Sequence, residues 1–491
     1  MPRPNVPFTH ANEAEHRRQL AFAVNEIERT TPDYDRTAAE IAAGITPTDY
    51  RYEPGNVLRY GAIGDDVNDD TTALANAALA SRYLYFPVGT YRTTAEIAYD
   101  SDSPVYIVFA PGAILKTVGA TNRAIHISGS PASSTSVELE LRHVTIEGAN
   151  SGVADCAIFL DQTALTWLRG VVIRGNSKFT DGIYGHGAQQ GEIHGGYIRG
   201  CNTACIHLDR ATSVPLPGHD TGSNGLDIHG MSLSSLGGAG SVLFLVENTD
   251  SVMFHHNHGI GALIGVDVND CQSGCRISNN HIEAPTGPPA PFTAGIRVRG
   301  SNSQGARLDG NTLFGTGPGI LIAAGKAITV DSNSFIECDL QYDAGVESVS
   351  TRDNYSIASG AKTFTDNSTL GVKSGNRTVG TGIDWGDTLS PAQITANQDN
   401  YNPTGLSKAL KLRLSTDASR TLTGLAGGWA DRTLKIINVG AQDLVLSAND
   451  AASTAANRFE FNASITLSPA EGITLEYDGA AQRWYSAGRS N

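Results

Sequence analysis

The sequence feature that most constrains the fold is a repeat of just over twenty residues. Five asparagines, each placed shortly before an apolar segment, occur in "HHNHG", "SNNHI", "DGNTL", "DSNSF" and "RDNYS". They are Asn257, Asn280, Asn311, Asn333 and Asn354, so their spacings are 23, 31, 22 and 21 residues. A period in the low twenties with occasional insertions is typical of a parallel β-helix, in which each coil adds one rung. Stacked asparagines satisfy buried turn backbone, so we expect a structural role for them.

A second regularity is the alternation of apolar and polar residues in seven short segments. These segments are "AIFLD", "GIYGH", "CIHLD", "LFLVE", "GVDVN", "GIRVR" and "ILIAA". Successive side chains of a strand point to opposite faces, so one set of residues is expected to face inward. The predicted inward residues are Ile158, Leu160, Ile183, Ile206, Leu208, Phe244, Val246, Val266, Val268, Ile296 and Val298. A slip of one residue would bury charges, so this register is strongly specified.

The acidic stretch "GDDVNDDTTALANAAL" matches either a metal loop or the start of a helix. Its alternating acids fit the beginning of an EF-hand loop, but Thr71 stands where the sharp turn needs glycine. Ala77 stands where a bidentate glutamate is required. We therefore predict a helix from about Thr71 to Ser81, with Asp69 or Asp70 at its N-cap.

The block around this helix, "LRYGAIGDDVNDDTTALANAALAS…LYFPVGTYRTT", resembles the opening of pectate-lyase-like right-handed β-helices, especially those of bacteriophage tailspikes. In that family the segment caps the first coil, so the resemblance implies a structural role for the aspartates. We predict an all-β fold, namely a right-handed parallel β-helix with a short N-terminal helical segment and a C-terminal antiparallel β-sandwich.

Changes in composition divide the chain into an N-terminal attachment or trimerisation segment, a β-helix domain, a linker and the C-terminal β-sandwich. The predicted bounds are 1–50, 51–365, 366–390 and 391–491. In the first segment Asn12 and Glu15 match a capping box, and a short apolar helical stripe needs a partner to cover it. The last segment resembles C-terminal modules of phage tail proteins, which implies trimerisation or glycan binding. Its Trp484 is expected to be a core residue rather than a sugar-stacking one.

Charge and composition exclude several classes of partner. The net charge of −15, from 35 basic and 50 acidic residues, argues against nucleic acid and against anionic membranes. No apolar run reaches membrane-spanning length, so no membrane insertion is expected. The N-terminal residues lack the apolar core of a signal peptide, so synthesis in the host cytoplasm is expected. In that compartment the six cysteines should be reduced and mostly buried.

The outward positions of the alternating segments carry the candidate functional residues. One outward column is Asp161, His186, Asp209, Glu247, Asn269 and Arg299, and its neighbour is Phe159, Tyr184, His207, Leu245, Asp267 and Arg297. Acids on adjacent rungs, about 4.8 Å apart, repel one another. A surface that had only to be soluble would not need such a column of acids. A glycan site would use such acids and imidazoles for hydroxyls and proton transfer, and rings for stacking on sugars. Ordinary outward polarity is the alternative explanation.

Specific roles follow if this column is a glycan site. The predicted catalytic residues are Asp209, Glu247, Asp161 and Asp267. The predicted substrate-binding residues are Phe159, Tyr184, His186, His207, Arg297 and Arg299. Neighbouring rungs would hold Asp209 and Glu247 about 5 Å apart, as in retaining glycosidases, with one acid protonated near neutral pH. Asp161 and Asp209, about 9.5 Å apart, fit an inverting enzyme, and a lyase would use an arginine to neutralise a uronate.

A second outward column lies on the following strand. It holds His194, His229 and His255, with Glu192 and Asp227 alongside. Polar residues are the default on an outward strand, so these five form a second candidate cluster behind the first. Stacked histidines raise the question of a metal, but third-ligand geometry cannot be read from the sequence. We therefore predict no metal and no cofactor.

The resemblance implies a bacteriophage tailspike or tail fibre in the virion. Such proteins are homotrimers that attach through their N-termini to a phage tail or baseplate protein and meet bacterial surface polysaccharide. We predict a tailspike that depolymerises capsule or lipopolysaccharide O-antigen during adsorption, with a glycoside hydrolase favoured over a lyase. The alternatives are a non-catalytic receptor-binding tail protein on the same fold and a bacterial polysaccharide enzyme outside a virion.

Overall fold

The fold is all-β and contains a right-handed parallel β-helix, as the sequence predicts. The computed structural model describes residues 33–100, 103–129, 138–210, 223–235, 240–272, 274–285, 292–368, 370–383, 385 and 388–490. The chain divides into two units. The first is Met1–Arg307 with Asn311–Thr316, and the second is Leu308–Gly310 with Gly317–Asn491. Asn12, Glu15 and the predicted apolar stripe lie outside the described residues. Within the described ranges, no helix is long and apolar enough to cross a membrane.

The first unit opens with a cap made of short helices. Helix α1, Ala38–Ala42, begins with the capping box of Thr37 and Glu40. The 3₁₀ helix Val57–Tyr60 supplies Arg59, whose guanidinium pairs with the Glu40 carboxylate inside the cap. Helix α1 and the 3₁₀ helix Val57–Tyr60 therefore contact each other in the cap of the first unit.

Helix α2, Thr71–Ala80, lies where the sequence predicts a helix. The Asp69 carboxylate accepts a hydrogen bond from the first backbone N–H of the helix at 2.9 Å. The Asp70 carboxylate is buried and accepts instead from the backbone of Ile63 at 2.6 Å and of Arg92 at 3.2 Å. These aspartates therefore fix the helix start and the neighbouring loop, in agreement with a structural role.

The described coil strands form two parallel sheets. One sheet is the first face, and the other has two rows of strands, the second and third faces, which share two long strands. In the first unit, the first face contains Ile97–Asp100, Ile125–Ser128, Ala154–Asp161, Phe179–His186, Ala204–Asp209, Val242–Glu247, Ile264–Asn269 and Ala294–Arg299. The second face contains Tyr83–Phe86, Val105–Phe109, Leu139–Arg142, Ala164–Arg169, Val252–His255 and Arg276–Ser278. The third face contains Asp65–Asp69, Thr90–Thr93, Ile114–Thr117, Thr145–Gly148, Val172–Arg174, His258–Ile260, His281–Glu283 and Thr312–Phe314. Two long strands, Gln189–Arg199 and Asn224–Ser234, take part in both the second and third faces.

The second unit begins with coils of the same kind. Its first face contains Pro318–Gly325, Asp339–Val346 and Phe364–Asp366. Its second face contains Ile328–Asp331, Ser348–Arg352 and Leu370–Ser374, and its third face contains Ser334–Ile336, Tyr355–Ala358 and Arg377–Gly380. The strand Arg307–Asp309 is divided between the units. Coil strands thus extend to Gly380, inside the segment that the composition indicates as a linker.

The predicted inward register of the first face is confirmed. Ile183 pairs with Ile158 on one side and Ile206 on the other, and all eleven predicted inward side chains are buried. The asparagine ladder is also present. The backbone N–H of Asn257 donates to the side-chain oxygen of Asn280, and that of Asn280 donates to Asn311. These bonds satisfy buried backbone at each turn, as expected of a structural ladder.

The expectation that all cysteines are reduced is wrong for one pair. Cys271 and Cys275 form a disulfide with Cα atoms 6.4 Å apart. Both residues lie in the turn between the first-face strand Ile264–Asn269 and the second-face strand Arg276–Ser278, and this turn brings the two side chains together, which the spacing alone could not show. The remaining cysteines are buried free thiols, as predicted: Cys156, Cys201, Cys205 and Cys338.

The C-terminal region is a pair of sheets around a shared apolar core, as predicted. One sheet contains Thr388–Leu389, Lys411–Leu414, Arg432–Asn438, Gly472–Asp478 and Arg483–Ser490. The other contains Arg420–Leu422, Leu444–Leu446 and Ile465–Leu467, and short 3₁₀ helices occur at Leu406–Lys408 and Ala455–Asn457. The pairing is mixed rather than wholly antiparallel, because Lys411–Leu414 pairs in parallel with both of its neighbours. Trp484 is fully buried and donates to the Leu425 carbonyl at 2.7 Å, which confirms it as core.

Candidate functional site

The outward columns of the first face lie on six adjacent strands in the register that the sequence indicates. His186 is paired with Asp161 on one side and Asp209 on the other. Tyr184 is likewise paired with Phe159 and His207. Further along, Asn269 lies between Glu247 and Arg299, and Asp267 lies beside Arg297. The solenoid therefore brings all the first-column candidates into one row.

His207 lies at the centre of this row, between two carboxylates. Its Nδ1 lies 2.9 Å from an oxygen of Asp181, and its Nε2 lies 3.4 Å from an oxygen of Glu247. Asp181 is buried and also accepts a hydrogen bond from the backbone of Ala204 at 3.0 Å. The sequence analysis missed Asp181, although an acid two residues before the inward Ile183 breaks the apolar pattern and was the available signal.

The contacts of His207 and Glu247 determine the protonation states of both side chains. Burial lowers the pKa of His207, but the carboxylates of Asp181 and Glu247 outweigh it and raise the pKa to about 9. The same His207 contact, with hydrogen bonds from Asn269 and Arg299, lowers the pKa of Glu247 to about 2. Glu247 is therefore ionised at neutral pH, so it is not the protonated acid of the Asp209–Glu247 pair.

Asp209 is a further carboxylate close to His207 and Glu247. One oxygen of Asp209, one oxygen of Glu247 and one nitrogen of His207 all lie within 4.8 Å of one another. The Asp209 side chain accepts hydrogen bonds from the backbone of Arg210 at 2.6 Å and from Asn248 at 3.3 Å. On the preceding rung, His186 Nδ1 lies 3.0 Å from an Asp161 oxygen. Partly exposed acids and imidazoles therefore form one continuous strip.

Asp267 has a different environment from the other predicted catalytic acids. It is buried, and its carboxylate is bound by the Arg297 guanidinium through two contacts of 2.9 and 2.6 Å. Arg299 Nε adds a further bond of 3.1 Å, and Arg299 Nη2 reaches Glu247 at 3.1 Å. The structure therefore argues against Asp267 as a reacting acid, because two guanidinium groups cover it. Its observed contacts instead orient the arginines beside Glu247.

The rings of the aromatic column lie against one another from rung to rung; Tyr184 and His207 are stacked, and the other two pairs are tilted. Ring centroids are 5.0 Å apart for His126 and Phe159, 5.3 Å for Phe159 and Tyr184, and 4.6 Å for Tyr184 and His207. The Arg123 guanidinium lies 4.3 Å from the Phe159 centroid. Neighbouring rungs therefore cover the faces of Phe159 and Tyr184, and the expected stacking of their faces on sugars is not available. These rings support the row instead.

The second candidate cluster also assembles, on the second face. Strand pairing places His229 between His194 and His255, and pairs Glu192 with Asp227. These residues belong to different strands from the first-face row, so they form a second, chemically distinct surface.

The second unit contains a cavity that the sequence analysis did not identify. Its volume is about 730 Å³, and its lining includes Val349, Val372, Lys408 and Trp429. Trp429 is 38% exposed, and the Arg432 guanidinium lies 4.3 Å from its ring centroid. The available signal was the tryptophan after two glycines in "LAGGWA". This cavity is an alternative place for a sugar ring.

Comparison with known proteins identifies the fold. A family model described as a right-handed β-helix region matches residues 123–335. No curated protein matches the chain in sequence. Similar solved structures include the surface adhesin PfbA of Streptococcus pneumoniae, with 12% identity over 89% of this chain and 98% of that chain and a TM-score of 0.42.

Two further solved structures are similar at the same level. Tailspike protein 3 of bacteriophage CBA120 is 12% identical over 89% of this chain and 69% of that chain, with a TM-score of 0.39. A family 28 exopolygalacturonase of Yersinia enterocolitica is 13% identical over 68% of this chain and 80% of that chain, with a TM-score of 0.37. The family match and the pairing of the described coil strands together establish the right-handed β-helix fold.

Proposed function

We propose that this chain binds a bacterial surface polysaccharide along the first face and hydrolyses it beside Glu247. The observation that carries the proposal is the group of Asp209, His207 and Glu247, whose ligand atoms lie within 4.8 Å on a solvent-facing row. Glycoside hydrolysis requires two carboxyl groups with different tasks, and Glu247 and Asp209 are two neighbouring carboxyl groups with different partners.

Each residue of this group has a separate role in the proposed reaction. Glu247 is the ionised carboxylate that attacks the anomeric carbon, because His207, Asn269 and Arg299 stabilise its charge. Asp209 is left as the general acid that protonates the leaving oxygen. The short distance between the two corresponds to a retaining mechanism rather than an inverting one. His207 is a positioning residue, since it touches Glu247 and is itself held by Asp181.

A lyase is the second candidate chemistry. Arg299 Nη2 lies 3.1 Å from Glu247, so a guanidinium and a carboxylate base stand side by side. In a lyase the guanidinium neutralises a uronate carboxylate while the base removes the proton at C5. The products separate the two chemistries, because hydrolysis adds water and leaves no double bond, whereas elimination creates an unsaturated uronate that absorbs ultraviolet light.

The test is a panel of bacterial capsules and O-antigens incubated with the full chain, with reducing ends and ultraviolet absorbance measured in parallel. Glu247→Gln and Asp209→Asn should each lower the rate by about 10² or more, measured at a temperature where each variant is folded, because Glu247→Gln also removes a charge that His207 and Arg299 stabilise. Glu147→Gln is the matched control, because Glu147 is a similarly exposed carboxylate paired with Lys116 on the third face. Equal rates in all three variants would refute the proposed site, and binding without cleavage would favour the receptor-binding alternative.

We further propose that the protein acts in a virion as a phage tailspike, through a homotrimer attached by its N-terminal residues to a tail or baseplate protein. The support is the tailspike-like sequence of the cap, from the 3₁₀ helix Val57–Tyr60 to the strand Thr90–Thr93. Light scattering at micromolar concentration should give three times the chain mass of 51.6 kDa. A monomer mass would contradict this part of the proposal without affecting the catalytic part.

A further inference from the structure

The second outward column is a ladder of imidazoles beside a ladder of carboxylates. His194, His229 and His255 occupy successive rungs of the second face, and their ring centroids are 4.6 and 5.1 Å apart. The ring planes differ by 25° and 10°, so the three rings are nearly parallel. Glu192 and Asp227 occupy the same relative position two residues before His194 and His229.

The contacts between the two ladders repeat from rung to rung. His229 Nε2 lies 2.8 Å from Glu192 Oε1, and His255 Nε2 lies 2.6 Å from Asp227 Oδ1. In both pairs the Nε2 edge of the imidazole reaches the carboxylate of the preceding rung. Nitrogen and oxygen ligands therefore alternate along one partly exposed strip, which is the donor set that Zn²⁺, Ni²⁺ and Cu²⁺ prefer.

We propose that Glu192, His194 and His229 bind a divalent transition-metal ion. One ligand atom from each of the three lies within 4.8 Å of the others. A tetrahedral Zn²⁺ site with bonds of about 2.0–2.2 Å needs ligand atoms roughly 3.3 Å apart. Small side-chain rotations close the difference, because His194 is exposed and the other two are only partly buried. Coordination replaces the present Glu192–His229 hydrogen bond, and the solvent side leaves one position for water.

Two neighbours already orient the proposed ligands. Arg169 lies 3.6 Å from Glu192 Oε2, so Oε1 is the oxygen that faces the imidazoles. His255 stacks on His229 and is itself held by Asp227, which fixes the plane of the His229 ring. Such contacts around metal ligands strengthen binding, since they reduce the rearrangement that coordination requires.

Two other groups in the described residues have a comparable donor set. His258, His281 and Glu283 lie on the third face, but the His258 and His281 rings are farther apart and more tilted than those of His194 and His229, with centroids 5.3 Å against 4.6 Å and ring planes at 37° against 25°. The Asp209–His207–Glu247 group has both ring nitrogens of His207 facing carboxylates, and a protonated imidazole cannot bind a metal. These groups provide the comparison variants for the experiment.

The test uses the full chain without a polyhistidine tag and with its disulfide intact, titrated with Co²⁺ and, in competition with a chromogenic chelator, with Zn²⁺. One tight site per chain is expected. His229→Gln and His194→Gln, the latter at an exposed position, should each weaken metal binding by about tenfold or more. His258→Gln, Glu247→Gln and the unmodified chain should bind metal alike, at a temperature where circular dichroism shows each variant to be folded.

Three results would overturn the assignment. They are equal affinity in His229→Gln and the unmodified chain, loss of the site in His258→Gln or Glu247→Gln, and a thiolate-to-cobalt charge-transfer band. The last would place the ion on the cysteines, since imidazole and carboxylate ligands give no such band. Because Glu247→Gln is included, failure of the metal site and failure of the polysaccharide site give different patterns.

Discussion

Glu40 and Arg59 form an ion pair inside the N-terminal cap, and removing its negative charge should destabilise that cap. Both side chains are fully buried, with Arg59 Nε 2.7 Å from Glu40 Oε1 and Arg59 Nη2 3.1 Å from Glu40 Oε2. The Tyr60 hydroxyl donates to the same carboxylate at 2.9 Å. Glu40→Gln keeps the volume of the side chain, so the loss of charge is the main change.

The size of the effect follows from the pKa of Glu40. Burial alone would raise that pKa, but hydrogen bonds from Arg59, the Thr37 backbone and Tyr60 lower it from 4.5 to about 2. This difference corresponds to about 3 kcal/mol of folding free energy. The cost of breaking a buried ion pair is of the same order, about 3–5 kcal/mol. Because the folded-state pKa is the lower one, the contribution is present above pH 4.5 and is lost as the pH falls towards 2.

Hydrogen exchange of the cap, together with denaturant unfolding, measures this contribution. At pH 7, Glu40→Gln should lose about 3 kcal/mol, and its difference from the unmodified chain should shrink as the pH falls towards 2. Glu53→Gln is the control, because Glu53 is an exposed carboxylate that accepts one hydrogen bond from Tyr34. A Glu40→Gln cap that remains within about 0.5 kcal/mol of the unmodified one would refute the reasoning.

Four further expectations concern other parts of the chain. A chain beginning at Tyr50 should melt at a lower temperature than one beginning at Asp33, because it lacks Glu40, the partner of the buried Arg59 guanidinium, and equal melting temperatures would contradict this role. Asn280→Ala should cost about 3 kcal/mol in denaturant unfolding, since it leaves two buried backbone groups unpaired, and an unchanged midpoint would contradict the ladder. Trp484→Ala should cost about 3–5 kcal/mol, and a normal melting temperature would show that the residue is not core. Polysaccharide cleavage should decline as the pH rises through about 9, where His207 loses its proton and its pairing with Glu247, and a flat profile across this range would argue against that pairing.

The solenoid could be predicted because its repeat period and the alternation of apolar and polar residues are both visible in the sequence. The asparagine spacing identified the ladder, and the alternation identified the buried and outward sides of each first-face strand. The start of helix α2 could also be predicted, because Asp69 precedes an apolar helical segment. In each case a local residue pattern is sufficient to specify the geometry.

Features that depend on neighbouring coils could not be predicted in the same way. Asp267 points outward by alternation, yet arginines from the next rung bury it. Rings on neighbouring rungs cover the faces of Phe159 and Tyr184. The residue types alone suggested that these faces were open to solvent. Asp181 was overlooked because its partner, His207, lies one full coil later in the chain.

The pairing of the C-terminal strands and the disulfide have similar causes. Short strands with tight turns indicate a sandwich, but only the path of the longer connections decides whether Lys411–Leu414 runs parallel to its neighbours. The approach of Cys271 to Cys275 depends on the conformation of the turn between the strands Ile264–Asn269 and Arg276–Ser278 of one coil. Neither feature has a local signature in the residues.

The central claim is that polysaccharide binds on the first face beside Glu247, and a crystal structure of Glu247→Gln with a bound oligosaccharide tests it most directly. The variant retains the shape of the row, so a bound chain should lie across the strands with a glycosidic oxygen near Asp209 and an anomeric carbon near position 247. Arg299 should contact the neighbouring sugar. Oligosaccharide found instead only in the cavity beside Trp429, with the first face empty, would contradict the account.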